Sequence, residues 1–173
     1  MIPIPVNGAH WHIILAHIPA LLYIVSAAIL VLATIWKDGR WQRVALGFIV
    51  AATFCTTVVF SFGEDAEHII ESQPDASNME SYIHPHEELA ETARNIILPF
   101  GILILALWWF TRKHTLLPVW AAWGAVVVML GIFILLTNVG AAGGKVNHPE
   151  VRGAVATGGT WDDKGGDRDK DDD

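Results

Sequence analysis

Four apolar stretches divide the chain, from about Trp11 to Trp36, Val44 to Phe62, Leu89 to Phe110 and Leu117 to Val139. Each is close to the roughly 20 residues that a helix needs to cross the hydrocarbon core of a bilayer. The first, second and fourth show little of the period-3.6 alternation that marks a surface helix of a soluble bundle. They are apolar nearly all round, as lipid-facing helices are. The third opens with a polar turn. The pattern predicts an all-α, up-and-down, integral-membrane four-helix bundle over residues 1–152. Residues 153–173 break the pattern: after Trp161 they hold seven aspartates and three basic residues. Such a mixture cannot bury a core, so a disordered acidic tail is expected. No internal repeat stands out along the sequence.

Composition agrees with that class. Hydrophobic residues make up 53% of the 173 positions, more than a soluble domain of this length needs. Residues 1–9 carry no Lys or Arg, and the first apolar stretch exceeds a signal-peptide core. It is therefore expected to stay in place as a span. The single cysteine, Cys55, falls within the second stretch. That excludes an internal disulfide, a cysteine-based zinc site and a c-type heme attachment; a small buried apolar role is expected. Neither a phosphate-binding loop, a dinucleotide fingerprint nor a nucleophile–base pair is visible. Hydrolase, nucleotide and nucleic-acid functions are not expected.

Charge sets the expected orientation. Lys37, Arg40 and Arg43 separate the first two stretches, and Arg112 to His114 (RKH) separate the last two. The segment from Glu64 to Glu91 holds nine carboxylates and no Lys or Arg. The positive-inside rule then puts both basic loops in the cytoplasm. Both termini and the acidic loop face outward, the periplasm in a bacterial inner membrane. Trp36, Trp41, Trp108, Trp109, Trp120 and Trp123 would form an inner aromatic belt, with Trp11 at the outer rim.

On that topology the histidines gather. His10, His12 and His17 start the first span, His68 follows the second, His84 and His86 precede the third, and His148 follows the fourth. Only His114 falls on the inner side. Chain-distant imidazoles on one membrane face suggest a ligand sphere. His17 lies roughly 9 Å inward from Trp11 at 1.5 Å of rise per residue, where a polar group needs a partner. That partner is either a ligand or a backbone carbonyl freed by Pro19. His10 is expected to be dispensable.

The surrounding residues extend the set. Asp65 and His68 (i, i+3), with Glu64 and His68 (i, i+4), would share a helix face, as half of a carboxylate–histidine metal site does. Pro85 suits a first helical turn, which puts His84 near the cap and Glu87, Glu88 and Glu91 at the positive dipole end. Ala90 and Ala93 beside His86 leave room for a flat cofactor or for close helix packing. Gly143 and Gly144 are expected to end the fourth span and bend His148 back over the bundle. Arg94, Lys145 and Arg152 would hold heme propionates or pair with the acidic loop.

The stretches HIILAHIPA (His12 to Ala20) and GGKVNHPE (Gly143 to Glu150) resemble a family of small bacterial four-helix membrane proteins. Their first helix reads H-P-x-x-x-H-F-P, and a Gly-Gly turn with a histidine closes the fourth. The resemblance covers residues of about 10–152, and Ile13 and Ile18 depart from it. It implies a fold and singles out His12, His17, Gly143, Gly144 and His148, with His86 a looser match, rather than an activity. The layout is also similar to that of membrane b-type cytochromes.

Three functions remain open at this point. One is a b-type heme protein moving electrons at the outer face, a subunit of a redox complex serving a partner such as a periplasmic cytochrome c. In that reading His17 and His86 are the first choice of axial pair, with His12 and His148 as substitutes. Another is a non-heme iron, copper or zinc site using His12, His17, His68, His86 or His148 with Glu64, Asp65 or Glu87. The last is a cofactor-free structural subunit.

Overall fold

The computed structural model describes residues 7–72, 76–113 and 116–148. Five α-helices account for most of them: α1 (Gly8–Leu15), α2 (Ile18–Ile35), α3 (Gly39–Glu71), α4 (Ala76–Phe110) and α5 (Val119–Asn147). A 3-10 turn, Thr111–Lys113, follows α4. Four helical segments are long and apolar enough to cross a membrane: Gly8–Ile35, Gly39–Ile70, Met79–Phe110 and Val119–Val146.

The first span is two helices because Pro19 lacks the N–H that would have bonded the Leu15 carbonyl. Asn7 caps α1, its side-chain oxygen accepting from the His10 N–H at 3.1 Å. Asp38 caps α3 by accepting from the Arg40 and Trp41 N–H groups at 2.9 and 3.3 Å.

Two helix ends differ from expectation. Pro85 does not open the third span; it sits inside α4, which begins at Ala76. A proline removes only its own bond to the residue four back, here Ser81, and the preceding turns still half-bury Met79, Tyr82 and Ile83. Nor do Gly143 and Gly144 bend the chain. Helix α5 runs through both to Asn147, and the His148 N–H closes it on the Gly144 carbonyl at 3.0 Å. At about 1.5 Å per residue, α3 and α4 outrun the roughly 30 Å hydrocarbon core and project at the histidine end.

Each span packs on the next in chain order, and α5 closes the ring against α2. The first and third spans therefore lie diagonally across the bundle, as do the second and fourth. Tyr23, Leu30, Leu46, Ile49, Ile97, Ile104, Met129 and Ile132 fill the centre, each at most 2% exposed. Outside, Leu21, Phe54, Ile102, Leu103 and Val127 are exposed, an apolar jacket suited to lipid contact. Within the core, the Tyr23 hydroxyl and Thr53 Oγ1 share a hydrogen bond of 3.1 Å.

Buried Gln42 ties the other end together, donating to Thr34 Oγ1 at 3.2 Å and accepting from the Leu117 N–H at 2.9 Å. There Arg43 donates to the Arg112 carbonyl. The Arg43 and Arg112 guanidiniums lie over the Trp108 and Trp109 rings, at 5.2 and 4.8 Å, each a cation–π contact.

Superposing the halves by register reveals a repeat. Pro19, Tyr23, Ala27 and Leu30 are buried at the same spacing as Ala93, Ile97, Gly101 and Ile104. Gln42, Ala45, Leu46, Ile49 and Ala52 match Ala122, Ala125, Val126, Met129 and Ile132 in the same way. The two helix pairs thus repeat one burial register, the pattern that a two-fold along the bundle would give. The side chains differ in nearly every pair, so the repeat lies in burial and not in identity.

Candidate cofactor site between His12 and His86

The repeat carries two histidines with it. His12 Nδ1 hydrogen-bonds the Val59 carbonyl of α3 at 3.0 Å, and His86 Nδ1 hydrogen-bonds the Val139 carbonyl of α5 at 3.0 Å. In the register above, His12 corresponds to His86 and Val59 to Val139. A carbonyl only accepts, so each Nδ1 is the donor and each neutral ring keeps its lone pair on Nε2. That is the tautomer, fixed by an outer hydrogen bond, that metal-binding imidazoles use.

The two rings stand 6.4 Å apart between centroids, with their planes at 89°. Metal–nitrogen bonds of about 2.0–2.1 Å and a ring nitrogen about 1.2 Å from its centroid put two imidazoles on opposite sides of one ion roughly 6.5 Å apart. A tetrahedral angle would bring the centroids to about 5 Å on the same bond lengths. The observed spacing fits the opposed arrangement.

Glycines make the room. A Cβ on Gly63 would lie 3.3 Å from His12 Cε1, and one on Gly143 would lie 3.0 Å from His86 Cε1. Gly63 and Gly143 also correspond in that register, each one helical turn beyond the carbonyl that holds the ring. This explains why α5 continues through Gly143: the glycine admits a ring from α4 and turns nothing. Above the pair, Trp11 and Phe62 stack at 6.3 Å. The carboxyls of Glu67 and Glu87 lie side by side, and Glu87 Oε1 is buried without a hydrogen-bond partner.

The other candidates stand elsewhere. His17 is exposed at the break between α1 and α2, and the structure does not bring it to His86. Asp65 and His68 are exposed on α3, and Asp65 lies against Gly8 rather than beside the two rings. His10 and His148 are exposed. His84 is exposed, 3.7 Å from Glu88 one turn on. Arg94, half-buried, reaches from α4 across to α3, its guanidinium 5.4 Å from the Phe60 ring centre and 3.7 Å from Glu91. His114 and Arg152 lie outside the described residues, as does the acidic tail. Among the described residues no group of three His, Cys, Asp or Glu is placed to hold a metal ion.

Sequence reasoning did not single out Val59, Gly63 or Val139. A signal was present: V-x-x-x-G occurs near the histidine ends of the second and fourth spans, as Val59 to Gly63 and Val139 to Gly143. No family model, curated protein or solved structure matches the chain.

Proposed function

We propose that this protein is a b-type heme protein that carries electrons at the outer face of a bacterial inner membrane, as a subunit of a larger redox complex. His12 and His86 are the residues that would hold the iron. One observation carries the reading: two imidazoles on diagonal spans stand 6.4 Å apart with perpendicular planes, each anchored through Nδ1 to a carbonyl of the other diagonal pair. Heme iron, when bound, supplies a one-electron couple whose potential the axial ligands and the low-dielectric bundle set. The protein's part is to fix both tautomers, to hold both rings and to keep water away. A non-heme iron, copper or zinc site asks for more protein ligands, and none stands with this pair among the described residues.

The outward orientation follows from the basic loops at the opposite end. A final electron acceptor outside the membrane, such as a cytochrome c, suits a site at this end. The resemblance to the H-P-x-x-x-H-F-P proteins fits the same layout, with His12 as the first histidine of that motif.

The test is the absorption spectrum of the detergent-solubilised protein, oxidised and then reduced with dithionite, after expression with ample heme supply. A Soret band with sharp reduced α and β bands is expected. It should be lost in His12→Ala and in His86→Ala, and kept in His17→Ala. A folded protein without a Soret band, even after hemin is added, ends the heme reading.

A further inference from the structure

Arg94 is a charged group on a lipid-facing flank, where charge is costly and marks function by default. It lines a groove between α3 and α4 with Thr56, Thr57, Phe60, Ser61, Glu64 and Leu98. The internal repeat supplies a control. In the corresponding groove between α5 and α2, the register puts Ala20 in place of Arg94, Gly144 in place of Glu64, Ala141 in place of Ser61 and Gly140 in place of Phe60. Both grooves join helices with matching buried positions, yet only one carries charged groups. Packing therefore does not require Arg94, Glu64 or Ser61.

The polar groups define a ligand. Thr56, Thr57 and Ser61 donate their hydroxyl protons to carbonyls of their own helix, at 2.9, 3.1 and 3.3 Å. Their oxygens, with the Glu64 carboxylate, are left as acceptors, and Arg94 is the donor. With Glu91 beside Arg94, the local charge is negative, which disfavours an anionic lipid phosphate. The space, about 120 Å³, approaches the roughly 150 Å³ of a cavity that takes one benzene ring. Phe60 immediately follows Val59, whose carbonyl anchors His12, so one helix carries both the groove and that anchor.

We infer that this groove binds the ring of a membrane hydroquinone–quinone couple. A hydroquinone hydroxyl donates to Glu64, Arg94 donates to a ring oxygen, and the tail lies in lipid. The purpose of the site rests on the heme reading, but binding itself does not.

The experiment is anaerobic equilibrium dialysis of the full-length, detergent-solubilised protein against a radiolabelled benzohydroquinone with a one-isoprene tail, kept reduced with dithionite. Saturable binding near one per chain is expected. Glu64→Gln and Arg94→Gln should each weaken it at least tenfold, with helix content and melting unchanged. Thr137→Ala, in the opposite groove, should leave it alone. Binding should survive in His12→Ala, which separates this inference from the heme reading. No saturable binding, or wild-type affinity in both groove variants, overturns it. So does zwitterionic phospholipid that co-purifies with the wild type, is lost in Arg94→Gln and is not displaced by the hydroquinone.

Discussion

Gly143 is the residue on which the site turns most sharply. Its missing side chain is the space that His86 occupies, with Cε1 at 3.0 Å from the position of a Cβ. In Gly143→Ala the ring must shift or tilt, an overpacking of about 1–3 kcal/mol. At about 1.4 kcal/mol per tenfold, heme affinity should fall roughly 5- to 150-fold, read by hemin titration. Helix propensity favours alanine by about 1 kcal/mol and offsets part of that cost, so the heme-free protein should stay folded with at most a small drop in melting temperature. A loss of fold in place of a loss of affinity would refute this role. Gly63→Ala should act in the same direction and more weakly, because His12 stands slightly farther off, at 3.3 Å. None of this was legible as ligand geometry. Depth along the first span put His17 with His86 ahead of His12. What separates them is which face of its helix each occupies, and that depends on how the spans rotate against their neighbours. His17 falls on the outer surface and His12 on the inner.

Among the elements, α2, α3 and α4 meet at one node in the core. Thr53 on α3 hydrogen-bonds Tyr23 on α2 at 3.1 Å and fills the space a Cβ on Gly101 of α4 would need. Gly101→Ala should destabilise the bundle by about 1–3 kcal/mol, measured by reversible unfolding in detergent. Adding Thr53→Ala should recover part of that loss, although it also removes the Tyr23 bond, worth about 0.6 kcal/mol in a membrane interior. Additive destabilisation in the double variant would show that the two side chains do not compete for one space. The apolar lengths made the number of spans readable, and Pro19 made the break after α1 intelligible. The outward reach of α4 was hidden, because Pro85 reads locally as a helix start. So was the passage of α5 through Gly143 and Gly144, because paired glycines read as a stop.

For the whole molecule, the repeated register gives each half one histidine at the same position, and the two rings meet 6.4 Å apart. The diagonal pairing of His12 with His86 is a consequence of that arrangement. Its sidedness is open to a direct measurement. In a Cys55→Ala background, Ser72→Cys at the histidine end should react with a membrane-impermeant maleimide in intact spheroplasts. Arg40→Cys at the basic-loop end should react only after the membranes are opened. The reverse pattern would put the paired histidines on the cytoplasmic side and remove the outer acceptor from the proposed function.

The sequence by itself determined the class of the molecule: four spans, their order along the chain, and the gathering of histidines at the end opposite the basic loops. These follow from apolar length and charge, which are properties of single segments. Only the tertiary structure decided the rest. It selected His12 over His17, made Gly63 and Gly143 the spaces for two rings, and exposed a repeat carried by burial alone. It also left charged groups in only one of two equivalent grooves. Each of these depends on which helix face meets which neighbour, and a segment cannot specify that until its partners are in place.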